Sequence, residues 1–159
     1  MIIEFEQITK DILSILDKWE DKLSNLSDNI ISEKRNNQNR TIKEILGHLI
    51  DSASNSTHRI VHLQNQASPL VFPNYATNGN NDRWIAIQNY QDESWSDIIM
   101  TWKYTNRHLA HVIKNVQANK LKNEWIASPN RNISLKEMVI GYLEHLKLHL
   151  NEIDDLINK

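Results

Sequence analysis

His145 and His149 are one helical turn apart, so both imidazoles leave the same side of a helix at the i, i+4 spacing that lets two nitrogens share one metal ion. A third ligand must come from another segment. The chain has no cysteine, which removes thiolate nucleophiles, disulfides and zinc–cysteine sites and leaves His, Asp and Glu as the ligand types. Of its seven histidines, only His48 joins this pair once the helices that carry them are laid out.

The 159 residues fit a single domain, 1–159, long enough to bury a core without disulfides. A net charge of −2, with no run of lysine or arginine, offers no electrostatic footprint for nucleic acid. The start, Met1-Ile-Ile-Glu-Phe-Glu, is acidic where a signal peptide needs base, and no apolar stretch approaches a membrane span. A soluble, cytoplasmic protein is the expectation.

With only three glycines and three prolines, the chain has few breakpoints, and long helices follow. Ile8, Ile12, Leu16, Trp19, Leu23 and Leu26 recur at helical spacing and predict a first helix over Phe5 to Asp28. The stretch Ser32 to Arg40 is polar throughout and reads as a solvated connection. Thr41-Ile-Lys-Glu44 matches a capping box and opens a second helix to about Asn65. Residues 66–93 lack sustained periodicity until Trp84 to Tyr90, and a loop of about 28 residues is long enough to expect a role for it. Trp95, Ile98, Ile99, Trp102, Leu109, Val112 and Val116 mark a third helix, followed by a turn at Ser128-Pro129-Asn130. A second capping box, Ser134-Leu-Lys-Glu137, opens a fourth helix that runs to the end of the chain. Four amphipathic helices, each with one stripe to bury, predict an all-α four-helix bundle.

At about 100° per residue, His48 lies at the edge of the apolar face of the second helix. His58 and His62 project opposite, and His108 and His111 lie on the polar side of the third helix. His145 and His149 sit among Met138, Tyr142, Leu146 and Ile153 on the buried side of the fourth. His48 is about 10 Å from the start of its helix, and the pair is about 12 to 18 Å from the end of theirs, at ~1.5 Å per residue. The three rings therefore meet at one level if the second and fourth helices run antiparallel. The long connection permits a return over the bundle that would make the second and third helices parallel. Gly47 and Gly141 sit beside these histidines inside predicted helices, which suggests close backbone approach, room for a ligand, or ordinary helix packing.

Glu44-Ile-Leu-Gly-His48-Leu-Ile-Asp51, followed near the C-terminus by His145-Leu-Lys-Leu-His149, resembles the DinB-like (damage-inducible, YfiT-type) family. The resemblance spans nearly the whole chain. It implies an up-down-down-up bundle with a long connection between helices two and three, often a homodimer, with metal held by His48, His145 and His149. It implies activity more loosely: thiol-dependent S-transferase or isomerase in some relatives, metal-dependent hydrolase in others.

Three neutral imidazoles on a divalent ion leave a position open for water, a thiol or a substrate oxygen, and the ion acidifies what binds there. Zinc and nickel both suit imidazole. Leu146 follows His145 where zinc metalloproteases carry a glutamate base, which argues against peptidase chemistry of that type. Asp51 and Asn55, one and two turns beyond His48, are candidates to orient a ligand or hold a substrate, as is Tyr142. Trp84 and Tyr90 are candidates to line a pocket if the long loop folds over the site. Glu144 and Glu152 project away from the pair at ideal helical spacing and are not expected as ligands. The expected function is a metal-dependent hydrolase or a transferase using a low-molecular-weight thiol, acting on a small molecule. The alternatives are a bundle that binds metal or a small ligand without turnover, and a structural bundle whose inward histidines are satisfied by Tyr142, Asp51 or water.

Overall fold

The structure, a computed structural model, describes residues 2–159. Four long helices form it: α1 (Ile3–Ser24), α3 (Ile42–Asn65), α5 (Trp95–Lys114) and α6 (Leu135–Ile157). Shorter elements lie between them, namely α2 (Asp28–Glu33), α4 (Asn80–Gln88) and an antiparallel hairpin of β1 (Glu124–Ser128) and β2 (Arg131–Ser134). Each long helix presents an apolar stripe to one core. On α1 the stripe is Phe5, Ile8, Ile12, Leu16, Trp19 and Leu23, all buried.

Both capping boxes form. Thr41 Oγ1 accepts from the Glu44 amide at 3.3 Å while Glu44 accepts from the Thr41 amide at 2.8 Å, and Ser134 and Glu137 make the same exchange at 3.2 and 2.9 Å. These caps fix where the two histidine-bearing helices begin.

Contacts at the helix ends set their directions. Trp95, at the start of α5, donates to the Leu23 carbonyl near the end of α1, and Thr9 near the start of α1 donates to Ala110 late in α5, so α1 and α5 run antiparallel. Lys43 at the start of α3 donates to the carbonyls of Gln91 and Glu93 just ahead of α5, and Gln64 near its end accepts from the Gln117 amide just after α5. Helices α3 and α5 therefore run the same way, with the connection between them returning along the bundle. Lys136 pairs with Glu4 at one end and Lys22 with Asp154 at the other, so α1 and α6 are parallel, and α6 runs antiparallel to α3.

Three expectations are corrected. The first helix stops at Ser24 rather than Asp28, where Ser24 and Asn25 turn their side chains onto the carbonyls of Glu20 and Asp21 and compete with the helix ladder. The short α2 follows and buries Ile31. The 66–93 segment contains α4, begun after Gly79 in a left-handed conformation (φ 73°), and its upstream part is pinned to the hairpin through Leu70, whose amide donates to Glu124 and whose carbonyl accepts from Ile126. Finally, Arg40 is not solvated. It is 4% exposed, and its guanidinium takes Asp82 Oδ1 at 2.7 and 3.0 Å, tying the end of the polar connection to α4. None of the described helices is long and apolar enough to cross a membrane.

Candidate metal centre

His48 points from the first half of α3 toward α6, where His145 and His149 face it one turn apart. His48 Nε2 is 3.2 Å from His145 Nε2, His149 Nε2 is 3.1 Å from that same atom, and all three nitrogens fall within 4.8 Å of one another. Nitrogens held 2.0 to 2.1 Å from one ion at tetrahedral or octahedral angles lie about 2.8 to 3.4 Å apart, so these two spacings fit a shared cation.

The donor set itself calls for one. His149 Nδ1 is 2.8 Å from Glu152 Oε2, and since the carboxylate accepts, Nδ1 carries the hydrogen and Nε2 presents a lone pair inward. His145 Nδ1 lies 3.4 Å from Ser52 Oγ. Three Nε2 atoms thus converge, His145 Nε2 facing the other two at 3.2 and 3.1 Å. A proton is a poor remedy: burial first, then the neighbouring histidines, push His48 down to about 2, and burial with His149, Arg40 and Arg59 pushes His145 down to about 4. Both are neutral at pH 7, as a metal ligand must be.

The cluster forms the floor of a cavity of about 430 Å³ between α3, α6, the hairpin and the long connection. Down one side of α3 the wall is His48, Ser52, Ser56 and Arg59. Trp125 and Tyr75 close it from the hairpin and the connection. Tyr142 and Gly141 line it from α6. The Gly141 position meets nothing within 4 Å, so its missing side chain leaves cavity space. Burial raises the Tyr75 hydroxyl to about 12 and also raises that of Tyr142, which donates to Asn106 Oδ1, so both remain protonated donors.

The other residues singled out from the sequence lie elsewhere. Asp51 is buried but turns away, accepting from the Tyr90 hydroxyl and from Gln88, both at 2.7 Å; burial raises its carboxyl, and its Oδ2 has no partner. At i+3 from His48 it stands about 60° round the helix, whereas Ser52 at i+4 shares the histidine's face. Asn55 bonds back to the Asp51 carbonyl within α3. Tyr90 packs over Gly47, where a Cβ would overlap its ring, so that glycine serves close approach rather than ligand space. Trp84 reaches the neighbourhood only through Tyr75, with ring centroids 5.2 Å apart. His58, His108 and His111 are exposed, as their helix faces predict, while His62 is half-buried, with its ring 5.1 Å from that of Phe72.

Reading the helix faces overlooked Ser52, Ser56 and Arg59, although these sit four, eight and eleven positions past His48 and the same periodicity reaches them. It also misplaced Glu152. From i+3 that side chain bends onto His149, because a glutamate has rotamers enough to leave the ideal radial direction. Tyr75 stands in an aperiodic segment and carries no such signal.

No curated protein sequence matches the chain. The solved structure of YfiT from Bacillus subtilis, described as a probable metal-dependent hydrolase with an unusual four-helix bundle topology, superposes with a TM-score of 0.83 at 14% identity, covering 98% of this chain and 87% of that one. At that identity the likeness shows a shared fold. The family model of the DinB superfamily matches residues 14–153, from within α1 to the last turns of α6 and across all three clustered histidines, so the chain belongs to the DinB superfamily.

Proposed function

We propose that the protein is a metal-dependent hydrolase of a small molecule, with a divalent cation, zinc or nickel, held by His48, His145 and His149. The observation that carries this is the convergence of three histidine Nε2 atoms at the floor of a cavity large enough for a small substrate. The cation would supply Lewis acidity, polarising a substrate oxygen and acidifying water or a thiol at neutral pH.

The chain's own residues do the positioning. Glu152 and Ser52 orient the rings of His149 and His145 from behind. Tyr75, from the long connection, offers a buried hydroxyl to a substrate oxygen, and Trp125 supplies an apolar wall that excludes water. Among the described residues no carboxylate joins the three-histidine cluster, and Leu146 stands where zinc metalloproteases carry their glutamate base, which directs the reading toward activated esters, amides or similar small substrates rather than peptides.

The test is turnover of ester and amide panels by zinc- or nickel-loaded protein, each with and without added low-molecular-weight thiol. Chelator-sensitive hydrolysis without thiol is the expected result. Turnover only with thiol would replace hydrolysis with thiol transfer, and stoichiometric metal without turnover of any substrate would leave a binding protein.

A further inference from the structure

Arg59 is 9% exposed on the cavity side of α3, yet no carboxylate answers it among the described residues. Its guanidinium has five N–H groups. Nε donates to the Asn55 carbonyl at 3.3 Å and Nη2 to Ser56 Oγ at 3.4 Å, both within its own helix and both long. The guanidinium carbon lies over Trp125, 4.3 Å from the ring centroid, and the side chain lines the cavity with no hydrogen-bond partner on Nη1 among the described residues. The contrast with Arg40 is direct: that arginine is also buried on the same cavity and is neutralised by Asp82. A buried charge without a partner is costly and is kept where something else completes it.

The other charges facing the cavity do not serve. Arg131 stands exposed on β2, and Glu137 is exposed and committed to the Ser134 cap. The cavity wall therefore has a fixed cationic fork about three helical turns along α3 from His48, with Ser52 and Ser56 between them. Burial lowers the Arg59 guanidinium to about 10, which leaves it fully charged at pH 7.

We propose that Arg59 is a substrate-binding residue that receives an oxyanion, a carboxylate or phosphate, at the end of the cavity away from the histidines. The substrate is accordingly a small molecule with an anionic group at one end and its reactive carbonyl or ester at the other. This rests on the reading of the cavity as the substrate chamber. Stacked arginine is suited to the task because its planar fork matches two oxygens of either group while Trp125 holds it in place.

The experiment is titration of chelator-stripped protein and of zinc-loaded protein with succinate, inorganic phosphate and neutral succinamide at constant ionic strength, read by tryptophan fluorescence and thermal shift. Arg59→Met keeps a long apolar stem against Trp125 and removes the charge; Arg59→Lys keeps the charge without the fork; Arg83→Gln is a surface control. The expected result is saturable binding of one anion and not of succinamide in stripped protein, weakened at least about tenfold by Arg59→Met. In the absence of ligand, Arg59→Met should melt at or above the wild-type temperature, because it removes an unpaired buried charge. Whether succinate or phosphate binds identifies the group. No saturable anion binding, or equal binding by Arg59→Met, would overturn the proposal. If Arg59→Met does not fold, Arg59→Lys decides: wild-type affinity there contradicts the fork. Anion binding that needs zinc and ignores Arg59 would sink this proposal and leave the metal reading standing; Arg59-dependent binding in a protein that takes up no metal would do the reverse.

Discussion

Glu152 Oε2 accepts the Nδ1 hydrogen of His149 at 2.8 Å, and this one contact decides which nitrogen of that ring faces the cluster. The carboxylate is half-buried at 29% side-chain exposure and also accepts from Asn36 at 3.2 Å, so the polar segment before α3 braces the site from behind.

Removing that brace should cost metal affinity without unfolding the bundle. Glu152→Ala is expected to weaken zinc binding about 10- to 100-fold, measured by competition with a chromogenic chelator, with the far-ultraviolet circular dichroism unchanged. Wild-type affinity in the variant would mean that the ring is oriented by the cluster alone.

The two helical glycines should respond in opposite ways. A Cβ at Gly47 would run into the Tyr90 ring, so Gly47→Ala should destabilise by about 1 to 3 kcal/mol as an overpacked core does. Gly141 has open space beside it, so Gly141→Ala should keep stability or raise it by up to about 1 kcal/mol. It would nonetheless narrow the cavity. Denaturant midpoints with unchanged slopes measure both, and equal effects of the two substitutions would contradict the packing described.

Acid should destabilise the metal-free protein earlier than its carboxylates alone would allow. In the unfolded chain both histidines titrate near 6.5, whereas in the folded one His48 is lowered to about 2 and His145 to about 4. Between those values the unfolded state binds more protons, so stability is full above pH 6.5 and falls as the pH drops below it. With both histidines counted the loss at pH 4.5 should be roughly 5 kcal/mol, read from urea unfolding at stepped pH. His48→Gln should flatten the slope; an unchanged slope would show that the ring is not held neutral by burial.

Much of this arrangement is legible in the letters, and the exceptions have physical causes. The Thr41 and Ser134 boxes fix the registers of α3 and α6, and helical periodicity then brings His48, His145 and His149 to one level. The hairpin escapes because its strands are too short to show a period, and α4 shows one only over its second half, from Trp84; both are held by long-range contacts, Leu70 on β1 and Arg40 on Asp82. Tyr75 and Trp125 are delivered to the cavity by those same elements. Asp51 shows the limit of counting turns: one residue short of the histidine's face, it serves Tyr90 instead.

The account stands on the three-histidine cluster being a metal site, and metal content tests that most directly. Protein purified without an affinity tag should contain one divalent ion per chain by elemental analysis, and His48→Ala, His145→Ala and His149→Ala should each lose it while keeping the helical spectrum. Absence of a stoichiometric ion after reconstitution with zinc or nickel, or its retention in all three variants, would contradict the central claim.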